Sequence, residues 1–83
     1  MTTALTIERS TVARRFSGDR LHAARVGAGL TAAEVAWTVD LSAQSIDDYE
    51  RGESLPSVPV LVDLADLLGV PIDDLFERAR VVP

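Results

Sequence analysis

Between Ser17 and Gly69 the sequence opens a short helix and closes it again four times, and this punctuation restricts the fold more than any other feature. Hydroxyl residues fit to cap a helix stand at Ser17, Thr31, Ser42 and Ser57. Each is followed by a short apolar stripe and then by a residue that accepts left-handed backbone: Gly29, Asp40, Gly52 and Gly69 in turn. A capping oxygen takes a hydrogen bond from an amide that the helix leaves unpaired. Glycine ends a helix in a left-handed turn without a Cβ penalty, and aspartate tolerates those angles better than most residues. Thr31-Ala-Ala-Glu34 has the spacing of a capping box, in which hydroxyl and carboxylate satisfy each other's backbone amides.

The apolar positions between these marks predict which faces turn inward. They are Leu21, Ala24 and Val26; Val35, Ala36 and Val39; Ile46 and Tyr49; and Val60, Leu61, Leu64, Leu67 and Leu68. Pro56 breaks the chain, Pro59 falls in a first helical turn where its missing N–H costs nothing, and Pro71 enforces the stop after Gly69. A fifth short helix is expected over about Ile72 to Arg78, presenting Leu75 and Phe76. Residues 1–16 show no clean period and read as an arm, with a helical turn near Ser10 to Phe16. The expected organisation is an arm over 1–16, a domain over 17–78 and a tail over 79–83. The fold class is all-α, a compact five-helix domain with no room for a sheet.

With 83 residues and no cysteine, the chain supports one core and neither a disulfide nor a thiolate metal site. The single histidine, His22, excludes an ordinary zinc site, has no evident partner and reads as a surface residue. No cofactor is implied. Carboxylates on separate short helices, without a His-centred cluster or a glycine-rich phosphate loop, argue against an enzyme. No apolar run reaches the ~20 residues that span a bilayer, and the first ten residues lack a signal-peptide pattern, so a soluble cytoplasmic protein without membrane contact is expected.

Charge is uneven. The net charge is −5 and every one of the eight cations is arginine. Residues 1–30 hold five arginines against Glu8 and Asp19, whereas residues 31–83 hold three against eleven carboxylates. Proteins that grip phosphate are usually basic, because each contact needs a cation to displace counterions. Binding to DNA by such a chain must rest on placement more than on bulk charge.

The segments Gly29-Leu-Thr-Ala-Ala-Glu-Val-Ala36, Leu41-Ser-Ala-Gln-Ser-Ile46, Tyr49-Glu-Arg-Gly52 and Leu64-Ala-Asp-Leu-Leu-Gly-Val70 closely resemble phage repressor and Cro-type domains, the XRE-type regulators. The resemblance covers about Phe16 to Glu77, with the helix-turn-helix over about 31–51. It implies a lambda-repressor-like DNA-binding domain whose helix 42–51 enters the major groove by its N-terminal end. Carried over position by position, it makes Ala43, Gln44, Ser45 and Asp48 candidate base readers, with Asp47 beside them. Glutamine pairs bidentately with adenine, alanine touches a thymine methyl and aspartate accepts from cytosine N4. Amides at Thr31 and Ala32 are candidates for phosphate, with Arg51, Arg20 and the arm residues Arg14 and Arg15 as supporting cations. The resemblance also implies a structural ion pair between Arg25 and Glu50. The partner it implies is a double-stranded operator bound by a homodimer, for which Leu75, Phe76, Val81 and Val82 are candidate interface residues.

The chain departs from the family pattern in several places. Position 32, often glutamine in the family, is Ala32; the loop after the reader helix is Glu53-Ser54-Leu55; and Asp47 and Asp48 place two carboxylates on the reader helix. Trp37 stands where the family usually has an exposed polar residue, and an exposed tryptophan is a common interface anchor. The alternative reading is therefore a protein-binding adaptor on the same scaffold, antitoxin-like or an anti-regulator module, that uses Trp37. A docking site for a second subunit and a packing site for the chain's own arm are the other two uses of that position.

Overall fold

A computed structural model describes residues 12–80. The elements are β1 (Val12–Phe16), α1 (Gly18–Gly27), α2 (Ala32–Thr38), α3 (Ala43–Arg51), α4 (Val58–Leu68), a 3-10 turn (Ile72–Leu75) and β2 (Phe76–Arg80). The four expected caps are all made. Ser17 Oγ accepts from the Arg20 amide and Ser42 Oγ from the Ser45 amide. Ser57 Oγ accepts from the Val60 amide. At α2 the box is complete: Thr31 Oγ1 accepts from the Glu34 amide at 3.1 Å, and the Thr31 amide donates to Glu34 Oε1 at 2.8 Å. Asp40 adopts φ 61° in the turn between α2 and α3, and Gly52 closes α3 at φ 76°. Left-handed backbone at these two points lets short helices reverse direction without a longer loop.

The core gathers Leu21 from α1, Val35 and Ala36 from α2, Ile46 from α3, Leu61, Leu64, Ala65 and Leu68 from α4, and Leu75. Ala36 and Ile46 are buried at the α2–α3 crossing, where a larger side chain than alanine would hold the helices apart. Val26, expected inside, is 56% exposed. It lies five residues after Leu21, about 140° round the helix at 3.6 residues per turn, so it leaves the stripe that Leu21 and Ala24 define.

The ends of the domain differ from an all-α reading. There are four α-helices among the described residues, not five, and there is a sheet. The expected helix over 72–78 is a single 3-10 turn followed by β2, and the segment expected to turn helically near Phe16 is β1. The two strands pair antiparallel, with Phe16 opposite Phe76, Arg15 opposite Glu77 and Arg14 opposite Arg78. The phenylalanine rings meet edge to face at 6.3 Å, a contact worth about 0.5–1.5 kcal/mol beyond burial. Arg15 Nε donates to Glu77 Oε2 at 3.0 Å. The Ser17 amide donates to the Leu75 carbonyl, which fastens the root of this ribbon to the start of α1. Leu75, read from sequence as an interface residue, is fully buried and belongs to the core. Phe76 is half-buried against Phe16, and Val81 and Val82 lie outside the described residues.

Gly18 begins α1 directly against the end of α3. A Cβ there would overlap the carbonyl oxygens of Tyr49 and Glu50, which are backbone atoms and cannot swing aside. Helix propensity favours alanine over glycine by about 1 kcal/mol, but overpacking costs about 1–3 kcal/mol. Gly18→Ala should therefore destabilise the domain in a denaturant melt. A stabilised variant would mean that α1 and α3 separate easily.

Candidate nucleic-acid interface

The α3 helix stands on α2 through Ile46 and turns Ala43, Gln44, Asp47 and Arg51 to solvent, with Ser45 and Asp48 partly covered. Three of its polar side chains form one connected row. Gln44 Nε2 donates to Asp48 Oδ1 at 2.9 Å, and Arg51 Nη2 donates to the same oxygen at 3.0 Å. Spacings of three and four residues place such groups over one another on a helix face. Arg51 Nε also lies 3.5 Å from Glu53 Oε2, so the one cation of the motif is shared between two carboxylates. Ser45 shares a hydroxyl contact of 3.0 Å with Ser42 and is drawn into the cap. Ala43 and Gln44 are the most accessible residues of the first turn.

The other site candidates are dispersed. Thr31 spends its hydroxyl and amide on the capping box, and Ala32 is half-buried beside it. Arg14 lies 3.4 Å from Asp73, and Arg15 is paired with Glu77. Arg15 also borders a hollow with Glu50, Arg51 and Gly52, so the ribbon flanks the C-terminal end of α3, not its N-terminal end. Arg20 is exposed on α1 and makes no ion pair among the described residues. Trp37 is 87% exposed on α2, and the described part of the N-terminal segment does not cover it.

Behind the row, Arg25 and Glu50 join α1 to α3. Arg25 Nε donates to Glu50 Oε2 at 2.6 Å and Nη2 to Oε1 at 3.0 Å, while Nη1 donates to the Leu30 carbonyl at 2.9 Å. The two side chains are only 14% and 9% exposed. The hydrogen bond to Glu50, opposed by burial and aided by the charges of Glu50 and Asp47, raises the Arg25 guanidinium above its ordinary value. Burial pushes the Glu50 carboxyl up, but hydrogen bonds and charge from Arg25 and His22 outweigh it and hold the group below 4.5.

His22, expected to be without a partner, approaches Glu50 Oε1 with Nδ1 at 2.8 Å. Nδ1 also lies 3.2 Å from Arg25 Nη2. A protonated Nδ1 donating to the carboxylate satisfies the shorter contact, whereas a bare lone pair would face the carboxylate oxygen and repel it. The clue in the sequence was position: His22 lies one turn before Arg25, so whatever pairs with Arg25 comes within its reach.

Among the described residues no set of His, Cys, Asp and Glu side chains is grouped to hold a metal, and no helix is long and apolar enough to cross a membrane.

Residues 18–79 match the helix-turn-helix domain family. The chain is similar to the cryptic phage CTXphi transcriptional repressor RstR of Vibrio cholerae, 38% identical over 60 residues that make up 72% of this chain and 54% of that protein. It is also similar to the HTH-type transcriptional regulator DdrOP3 of Deinococcus deserti, 34% identical over 59 residues, or 71% of this chain and 46% of that one. The chain thus spans about half the length of these two relatives. Among solved structures, the P22 c2 repressor protein in complex with synthetic operator 9T superposes with a TM-score of 0.68 at 28% identity, covering 74% of this chain and 92% of that one. The match runs through all four helices and the turn between α2 and α3: the chain belongs to the helix-turn-helix domain family.

Proposed function

We propose that this chain is a sequence-specific DNA-binding transcriptional regulator, of phage or bacterial type, that lays the N-terminal end of α3 in the major groove. The observation that carries the reading is the Gln44–Asp48–Arg51 row. An amide nitrogen has two hydrogens. With one held by Asp48, Gln44 keeps the second for adenine N7 and its oxygen for adenine N6, so the bidentate pairing is available from a side chain already fixed in place. Ala43 beside it suits a thymine methyl. The regulators RstR and DdrOP3 and the operator complex of the P22 c2 repressor support the same reading.

The phosphate contacts of this reading fall to Arg51, Arg20 and the Ala32 amide, the Thr31 amide being spent on Glu34, with Arg14 and Arg15 released from ribbon carboxylates where DNA competes for them. One short reader helix touches few bases, so the binding unit is a homodimer on two half-sites. Of its expected interface residues Leu75 is taken up by the core, which leaves Phe76, Val81 and Val82 to meet the second copy.

Selection of random duplex DNA by the purified chain tests the reading. The expected product is one enriched motif, a palindrome with adenine at the position facing Gln44. Affinity should then fall with salt along a shallow slope, about −0.9 per phosphate reached, because few cations are available. Absence of any enriched motif at low salt would refute the proposal.

A further inference from the structure

We infer that the Trp37 face is a second interaction surface, separate from the DNA-reading row, and that it takes a basic segment of a partner protein anchored by an apolar side chain. Trp37, Leu30, Ala33 and Leu67 line a shallow hollow between α2 and α4, and none of these residues belongs to α3. Trp37 is 87% exposed, an unusual state for the largest apolar side chain. Aromatic residues left out in this way are typical anchors of protein interfaces.

Charge decides among the possible occupants. The two helices that form the hollow carry carboxylates at Glu34, Asp63 and Asp66 and no cation. All three are exposed, and none is in an ion pair among the described residues. Asp63 and Asp66 border the adjoining hollow that shares Thr38 and Leu67 with the first. A second copy docking face to face would bring two such acidic rims together, which like-charge repulsion opposes. DNA is excluded on the same ground. A protein segment with lysine or arginine around a leucine or aromatic side chain matches both the apolar floor and the rim.

Trp37 is the only tryptophan in the chain, so its fluorescence reports on this surface alone. The probe is a synthetic amphipathic helical peptide of leucine and lysine, and the control replaces each lysine with glutamate. The expected result is a blue shift of Trp37 emission that saturates with the basic peptide and is absent with the acidic one. Asp63→Asn with Asp66→Asn should weaken binding roughly tenfold, whereas the matched pair Asp73→Asn with Asp74→Asn should change it little. Trp37→Ala, an exposed substitution that keeps the helical circular dichroism, should abolish peptide binding in calorimetry.

Four results would overturn the inference. The first is no shift with the basic peptide, and the second is equal weakening by both charge variants, which would reduce the effect to general acidity. The third is a free chain whose emission is already blue and moves to the red on dilution or on removal of residues 1–11, which would assign the hollow to a second copy or to the chain's own N-terminal segment. The fourth is displacement of the peptide by a duplex from the selection, which would merge this surface with the DNA face. None of the first three involves DNA, so they stand whether or not the selection finds an operator.

Discussion

Glu50→Ala should remove a large share of the stability of this domain. The carboxylate accepts two hydrogen bonds from Arg25, and both side chains are shielded from water. Without Glu50, the guanidinium stays in the α1–α3 joint with the Leu30 carbonyl and the neutral His22 ring as its remaining neighbours and no counter-charge. Leaving one member of a buried pair uncompensated costs about 3–5 kcal/mol. A domain of this size holds roughly 4–12 kcal/mol in total, and at about 4–8 °C per kcal/mol the melting temperature should fall by roughly 12 °C or more. His22→Ala, by contrast, breaks a bond from a mostly exposed ring and should cost less than about 1 kcal/mol.

Glu50→Gln separates charge from shape. The carboxyl of the native chain lies below its ordinary value when folded. Its contribution is therefore complete above the unfolded value near 4.5 and is lost as pH falls through the folded one. Melts of the native chain should lose stability across that acid window, and Glu50→Gln should start lower and lose less there. A loss below about 1 kcal/mol in Glu50→Ala would show that water reaches the joint and that the pair acts as a surface ion pair.

The same residues show what could and could not be read from the sequence. Caps, turns and stripes are written within a few neighbouring residues, so Thr31 with Glu34, the left-handed Asp40 and the buried Ala36 were all legible. The ribbon was not. Its pairs join residues some sixty positions apart, as in Arg15 with Glu77, and no local period announces such a partner. Around Leu75 the local pattern even misleads: acidic Asp73 and Asp74 before Leu75 and Phe76 imitate the first turn of an amphipathic helix. In the fold, Leu75 instead drops into the core and Phe76 turns extended to meet Phe16. Val26 differs for a smaller reason: it is apolar, but its angle round the helix carries it off the buried stripe. Asp48 was legible as a charge near the phosphates, but its two donors were not, because side-chain direction decides whether three- and four-residue spacings become bonds.

Those two donors change what Asp48 is expected to do. As a bare carboxylate that meets no base it would only repel DNA, and Asp48→Ala would raise affinity for every sequence alike. Held by Gln44 and Arg51, it is in the proposed reading a positioning residue whose loss has two opposite effects. Removing one negative charge favours all phosphates, but at physiological salt the screening length is about 8 Å, so the gain for a partly covered group at the surface is a few tenths of a kcal/mol up to about 1 kcal/mol. Releasing Gln44 lets its amide rotate among several conformers and forfeits part of the about 1–3 kcal/mol by which a bidentate contact discriminates bases. The loss of discrimination outweighs the gain in attraction. Asp48→Ala should therefore bind random duplex somewhat more tightly while its preference for adenine opposite Gln44 falls roughly tenfold. Gln44→Ala should lose that preference completely with no gain in random binding. The double variant should discriminate no worse than Gln44→Ala alone, since both act through one contact. Competition titrations of selected against scrambled duplex, run on the native chain and these three variants, separate the two effects. Equal tightening on both duplexes in Asp48→Ala, with selectivity intact, would show that Asp48 is only a repulsive charge and that Gln44 reads without its help.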